Sequence, residues 1–585
     1  MNNIRSLTIF RAAFFLSLSC LCILGFLGAA RSYGMFLIPQ GWGVTDIVPE
    51  ELAFYAWYAC IGSAAILFLM HALRAMSVGT VLERALRSGI DRPGVLILSS
   101  GALLLVVLLA LYFTVFRGAP IADDESTYVF IARTLLQGRV VNPSPGDPEI
   151  LWSQFVVHTG SGWYGKYPIG HPLLLALGEA IGARFLVTPL LTVLTLVVTW
   201  LVGRRVFDPR VAGLSVCLLL VSPQFVLTGV TQLSQPSSTL FMMLGVLNML
   251  RLREKPDPAR AAVSALCWSY GILIRPMPGA LFLIAAFAYF MLDPAYGDWW
   301  SGRANRLKMI AAAAVPVLLT AALFASINHE QTGSLLRTGY HELHGGSGLA
   351  SGMSGHVGLS FFGALLRQSF WLLGWPLSFV FIPFSRRPRT VWLLWSMVAA
   401  EYGYRLLVPK TVVATTGPIY VAEVVPVLVL MSADGMVQLR GWLARARLER
   451  ARELLVPAVC AAVVVGLVMF VPVQLMTIRR ACDAQNRLRE ELDRVHAAPA
   501  LVFCDEIVSD RAGATWAYYP PPPSPTLNDD VIFVRWDRRE GGTARMIDFW
   551  RRRFPERSVW LYDAAPVDRP RLYRGIPRFE PVDRP

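Results

Sequence analysis

Thirteen long apolar runs divide this chain, at residues 8–30, 52–73, 94–116, 185–203, 211–227, 237–252, 261–274, 278–292, 309–327, 364–384, 390–408, 419–438 and 455–474. Most approach the ~20 residues that a helix needs to cross a ~30 Å hydrocarbon core. Inside a bilayer no water is present to satisfy backbone N–H and C=O groups, so such runs are predicted to be helices. Of the 585 residues, 55% are hydrophobic and only 16% charged, against roughly 25% charged in soluble domains. A soluble enzyme is excluded, and the expected fold is an α-helical polytopic membrane protein. The first run follows Arg5 and Arg11 and ends in LGAA, like a secretory signal. Its length predicts an uncleaved span instead.

The connections between runs alternate in charge. One set carries clustered arginines, including Arg84 and Arg87, Arg204 and Arg205, Arg251 and Arg253, Arg386 and Arg387, and Arg445 and Arg447. The other set, at 31–51, 117–171, 228–236, 328–363 and 409–418, is poor in Lys and Arg for its length. The positive-inside rule places the first set in the cytoplasm. With an odd number of spans the N-terminus is cytoplasmic and the C-terminal segment extracytoplasmic, in a bacterial-type inner membrane. The net charge of +14 is then largely a topology signal, and no nucleic-acid partner is expected.

Three regions follow. Residues 1–93 hold two N-terminal spans, 94–474 the main transmembrane domain with its long outer loop at 117–171, and 475–585 a small outer α/β domain. In the last, LVFCDE (501–506), DVIFVRW (530–536) and SVWLYD (558–563) read as strands, alternating with helical patterns at 479–496 and 543–553. Cys482 and Cys504 fall in this oxidising compartment, where a disulfide between them is one alternative and two free thiols the other.

Ionisable residues inside spans are costly and point to function. Arg275, Arg367, Glu401, Arg405 and Glu423 all fall in the outer half of the membrane, which predicts a shared cavity open to the outer leaflet. The long outer loop adds further candidates. Its stretch ADDESTYVFIARTLLQG predicts a surface helix with Tyr128, Ile131, Ala132, Leu135 and Leu136 on one face and Gly138 as terminator. Asp123, Asp124 and Glu125 begin that helix. One acid would suffice as a cap or dipole partner, and a carboxylate held ionised there suits a general base. The loop closes with GWYGKYPIGHPLLLALG, placing Lys166, Tyr167 and His171 at the membrane surface. The Gly-rich loop 328–363 contains HELH at 341–344, which lacks the HExxH spacing of zinc sites. No cofactor is required by this pattern, and a divalent metal is only a weak alternative.

Several of these segments resemble, in order, the bacterial GT-C membrane glycosyltransferases, in the branch of protein O-mannosyltransferases and lipid A aminoarabinose transferases (glycosyltransferase family 39-like). They are DDESTYVFIARTLLQGR, KYPIGHPLLLALG, ILIRP at 272–276, GWP at 374–376 and GPIYVAEVVPVLVL at 417–430. The likeness covers about 94–474 and the general form of the tail; two extra spans precede it. It implies an inverting enzyme that moves a sugar from a polyprenyl-phosphate donor to an acceptor hydroxyl on an envelope lipid, glycan or protein. In that family the first outer loop supplies the proposed base, which matches Asp124, with Asp123 in reserve. The family's phosphate-contacting lysine matches Lys166. Arg275, with Arg405, is implied as a further phosphate ligand, and Tyr167, His171, His356, Tyr420 and Glu423 as cavity residues. TQLSQPSS at 231–238 departs from the family pattern, offering Gln232, Ser234 and Gln235 where relatives often carry an acid or His. A lipid-linked-sugar transporter would share the spans but would carry its charges near the midplane; an inactive scaffold of the same fold is the other alternative. The matched motifs all precede residue 474, so the tail is expected to be dispensable for chemistry but to bear on the acceptor: truncation after the last span should leave donor binding intact while altering transfer.

Overall fold

The computed structural model describes residues 2–32, 49–160, 162–297, 303–343, 357–407, 416–504, 520–563 and 571–575. Helices α1 (Asn2–Ser32) and α2 (Pro49–Ala75) are followed by the amphipathic α3 (Val78–Asp91) and by α4 (Pro93–Leu111), which runs on as a π-turn to Phe116. The long loop holds α5 (Asp123–Leu136) and the strands β1 (Asn142–Pro143), β2 (Val156–His158) and β3 (Gly162–Gly165), and ends in α6 (Gly170–Ala180). The bundle continues through α7 (Val187–Val206), α8 (Pro209–Val221), α9 (Pro223–Val230), α10 (Gln235–Glu254), α11 (Pro258–Ile274), α12 (Pro276–Leu292), α13 (Pro294–Gly297) and α14 (Arg303–Thr332). It is completed by α15 (Gly339–Leu343), α16 (Val357–Trp371), α17 (Arg389–Leu407), α18 (Val425–Arg445) and α19 (Glu449–Val465).

Each predicted apolar run is helical over most of its length. Among the described residues six helices are long and apolar enough to cross a membrane, or seven if α8 and α9, bent by 60°, count as one span. The bend is local chemistry: the Ser222 hydroxyl accepts from the Phe225 N–H while Pro223 starts a new helix without an N–H to lose. Asp208 and Asp257 cap α8 and α11 in the same way, each ahead of a proline. Helix α10 carries Gln235, Ser237, Ser238 and Asn248 yet is buried nearly all round. Neighbouring helices, not lipid, surround it, which is why its polar residues are tolerated.

Helix α20 (Val471–Arg494) leads out of the bundle into a four-stranded sheet, ordered β5 (Val531–Arg535), β4 (Ala500–Cys504), β6 (Ser558–Asp563), β7 (Arg571–Arg574). Strand β4 is parallel to both β5 and β6, and β7 is antiparallel at the edge. The period of two sorts β4 between two faces. Val502 and Cys504 pack on Leu488 and Leu492 of α20, while Leu501 and Phe503 pack on Met546 and Phe549 of α21 (Gly542–Arg553). Cys482 and Cys504 form no disulfide with each other and are buried in different clusters.

The apolar face of α5 differs from the membrane-surface helix predicted above. Tyr128, Ile131 and Ala132 are buried against Trp163, Tyr167 and Leu175 from the second half of the same loop, so protein rather than lipid covers that face. The small antiparallel sheet β1–β3–β2, absent from the sequence expectation, brings those residues back over α5.

Candidate active site

Helix α5 starts after Ala122, whose side chain cannot cap it. Glu125 instead anchors the segments around the helix start. One of its oxygens accepts from the Ile121 N–H at 2.9 Å and the other from the Gln232 N–H at 2.7 Å. It is buried, and burial pushes its carboxyl up to about 7 in spite of those donors. Both oxygens are thus committed to tying the start of α5 to the segment between α9 and α10. Asp123 is also raised well above the ordinary carboxylate range, by burial first and then by Asp124, with Lys166 opposing. At Asp123 and Glu125 desolvation opposes the helix dipole and outweighs it. Asp124 turns the other way and accepts a hydrogen bond from the Tyr167 hydroxyl.

Tyr167 is held in an aromatic cluster. Its ring lies 4.7 Å from that of Tyr128 and 5.6 Å from that of Tyr340. Burial raises its phenol well above the usual value, so it stays protonated and donates to Asp124. Lys166 is buried, its ammonium 3.3 Å from the centroid of Phe155, 4.8 Å from Tyr167 and 5.4 Å from Tyr340. A cation over ring faces is attracted by their quadrupoles. Helix α15 can approach because Gly339 has no side chain: a Cβ there would sit 2.7 Å from the Lys166 backbone.

The loop reaches the bundle charges through a second close approach. A Cβ on Gly170 would meet the backbone of Leu273 at 2.6 Å, and the Tyr270 hydroxyl donates to the Gly170 carbonyl at 2.9 Å. This sets the loop beside Arg275, which sits in extended conformation between α11 and α12. Arg275 pairs with Glu423, and Arg405 pairs with Glu401 at 3.3 Å. The Tyr420 ring lies between the two guanidiniums, 5.6 Å from that of Arg275 and 5.0 Å from that of Arg405. Tyr420 also packs on Ala122, the residue before α5. Four of the five predicted intramembrane charges therefore cluster around Tyr420, beside the start of α5. Arg367 does not, making a two-point ion pair with Glu51 of α2 at 2.6 and 2.8 Å. The second oxygens of Glu401 and Glu423 are buried and lack a hydrogen-bond partner among the described residues.

His171 serves the scaffold. Its Nδ1 faces the Ser237 hydroxyl and its Nε2 the Gln232 carbonyl, both at 2.8 Å, and burial lowers its pKa to about 4. A neutral ring with Nε2–H donating to the carbonyl satisfies both contacts. His341 takes up the Thr338 N–H and hydroxyl. His344 and His356 lie outside the described residues, and among those described no three His, Cys, Asp or Glu residues are grouped to hold a metal. Sequence reasoning missed Tyr128, Phe155 and Tyr340 as site residues. Tyr340 directly precedes HELH, and its aromatic character beside an acid–His run was the available signal.

The α/β domain grips the same loop. Ile150 and Leu151 are buried in the core formed by Leu501, Phe503 and Phe549, and the Arg535 N–H donates to the Ile150 carbonyl at 2.8 Å. Leu527 packs against both this core and the cluster around Tyr128 and Tyr167. Arg133, in the last turn of α5, bridges Glu179 at 2.8 Å and Asp529 at 3.3 Å.

The family model of dolichyl-phosphate-mannose-protein mannosyltransferases matches residues 166–323. A comparison with curated proteins finds no match. Among solved structures, ArnT from Cupriavidus metallidurans bound to undecaprenyl phosphate superposes with a TM-score of 0.50 at 14% identity, covering 79% of this chain and 92% of that one. The oligosaccharyltransferase AglB from Archaeoglobus fulgidus gives a TM-score of 0.36 at 14% identity, over 68% of this chain and 59% of that chain. Arabinosyltransferase EmbB from Mycobacterium smegmatis gives 0.40 at 12%, over 74% of this chain and 46% of that chain. The fold of this chain is the GT-C fold of polytopic membrane glycosyltransferases.

Proposed function

We propose that the protein is an inverting glycosyltransferase that moves a sugar from a polyprenyl-phosphate donor to an acceptor hydroxyl of the cell envelope, on the outer face of the inner membrane. The observation that carries this reading is a carboxylate and a cation of the long outer loop, Asp124 and Lys166, set against one tyrosine, Tyr167, beside a buried set of hydrogen-bond acceptors. Asp124 is the base. Tyr167 occupies one of its oxygens and leaves the other to take the acceptor's hydroxyl proton. The acceptor oxygen then attacks the anomeric carbon, the bond from that carbon to the phosphate oxygen breaks, and the electron pair leaves with the polyprenyl phosphate. Attack and departure occur on opposite faces of the sugar, so the configuration inverts without a protein nucleophile.

Lys166 stabilises the phosphate's developing charge, its ammonium presented in a low-dielectric aromatic surround where a fixed cation is most effective. Arg275 and Arg405 contribute less charge than the resemblance implies, since each already holds a carboxylate. Their pairing suits them to orient Glu401 and Glu423, whose unpartnered oxygens would accept sugar hydroxyls. A donor that arrives already activated needs no nucleotide site and no metal to make its leaving group. The test is mass analysis of envelope glycans from a deletion strain, complemented with wild type or with Asp124→Asn. The reading expects a sugar to disappear on deletion and to return only with wild type; an unchanged envelope overturns it.

A further inference from the structure

A cavity of about 730 Å3 lies on the face of α5 turned away from Asp124. Ser126, Val129, Arg133 and Gln137 line it, spaced three to four residues apart along one side of the helix, whereas Tyr128 and Ile131 share the face of Asp124. Tyr112 and Phe116, at the end of α4, form its floor, and Gln485 and Asn486 of α20 one wall. The facing wall is the proline-rich segment of the α/β domain, with Pro522 and Asp529. Its size is that of a small-molecule site, typically ~300–1,000 Å3.

A second cavity, of about 30 Å3, begins where the first ends. Both touch Ser126 and Pro522, and the smaller one runs on to Asp123 and to Phe155, the ring under the Lys166 ammonium. The two cavities therefore form a line around the first turn of α5, from the large chamber to the acid cluster. The smaller cavity has room for about two waters, so anything larger that passes must widen the gap between α5 and the proline-rich segment.

The lining defines the ligand's chemistry. Arg133 is paired with Glu179 and Asp529, and Arg184 donates to Glu179 and to the Gln232 side chain at 3.1 Å. With Glu125, Asp530 and Arg489 the lining holds four carboxyl groups and three guanidiniums, so it offers fixed donors and acceptors but no excess of positive charge for an anion. An alkyl chain would strip water from the polar wall without replacing its hydrogen bonds. Neutral hydroxyls satisfy both kinds of group, and the aromatic and proline rings offer flat apolar faces to a sugar ring.

We infer that this cavity binds a saccharide acceptor, holding the part remote from the hydroxyl under attack and passing its end through the Ser126–Pro522 neck. The inference rests on the transferase reading of Asp124. Val129→Trp fills the chamber from α5 and Thr526→Trp from the α/β domain; neither residue belongs to a core cluster. The saccharide fraction of a deletion-strain envelope is titrated as acceptor against membranes holding each variant, and undecaprenyl phosphate binding is followed in parallel. Each variant needs on the order of tenfold more saccharide for half-maximal transfer, with the plateau rate and undecaprenyl phosphate binding unchanged. Wild-type titration curves for both variants overturn the inference, as does recovery of the transferred sugar on protein. A wild-type protein that transfers no sugar overturns the transferase reading itself, and this inference with it.

Discussion

Adjacent carboxylates take opposite tasks at the start of α5. Asp124 has one oxygen held by Tyr167, whereas Glu125 is consumed by two backbone N–H groups. Asp124→Asn keeps the shape and still accepts from Tyr167, so insertion and undecaprenyl phosphate binding should persist. Transfer should fall by roughly 10²- to 10⁴-fold, the usual contribution of a general base; a smaller loss than that of Asp123→Asn would move the role to Asp123. Glu125→Gln should act on stability. Its amide presents an N–H to one of the two backbone donors, a mismatch costing about 1–3 kcal/mol, read as a lower melting temperature in detergent. Because the folded-state pKa of Glu125 is raised to about 7, the protonated form is favoured by folding. That stabilisation is complete at pH 4 and is lost as pH rises through 7. Glu125→Gln should flatten this slope; an unchanged pH profile of melting would show that Glu125 does not titrate there. From sequence the three acids were indistinguishable by physics, since Glu125's main tether lies 107 residues away at Gln232; only the resemblance singled out Asp124.

At the scale of elements, α5 is clamped between the bundle and the α/β domain, which gives the tail a structural hold on the outer loop beyond the bearing on the acceptor expected from sequence. Leu527 adopts φ 55°, a left-handed conformation costly for a branched side chain. It is retained where its side chain packs into both the domain core and the Tyr128–Tyr167 cluster. Leu527→Ala should weaken docking by roughly 1–3 kcal/mol, seen as faster proteolysis within 144–153 and slower transfer. Truncation after Arg494 should go further, since it uncovers Ile150 and Leu151, which are 5% and 0% exposed. A truncated protein that inserts, keeps this segment protected and transfers at the wild-type rate would restore the tail to a dispensable appendage. The strands of the tail were legible because their apolar alternation is local. The docking was not, because Asp147, Glu149 and Ile150 meet partners some 400 residues further along the chain, as in the Arg552–Asp147 bond at a separation of 405.

For the whole molecule, the helices were legible because apolarity over ~20 residues leaves the backbone no other conformation in lipid. Interior helices such as α10 blur that signal by carrying polar residues on protein-facing sides. The orientation of the bundle decides whether Asp124 meets a donor on the outer leaflet. Helices α19 and α20 run as one stretch from Glu449 to Arg494, 46 residues, about 69 Å at 1.5 Å per residue and more than twice a ~30 Å hydrocarbon core. Its far end stands beside the long loop: Arg117 pairs with Asp483 at 2.9 Å and with Glu490, and Arg479 bonds the Thr114 carbonyl. Its near end follows the basic segment Arg440 to Arg452, across the bundle from Asp124. Residues 445 and 480 thus lie on opposite sides of a single crossing. A reporter active only outside the cytoplasm should be active when fused after Arg480 and silent after Arg445. The reverse pattern would put Asp124, Lys166 and the α/β domain in the cytoplasm, against the arginine distribution, and the lipid-phosphate donor reading would fall with it.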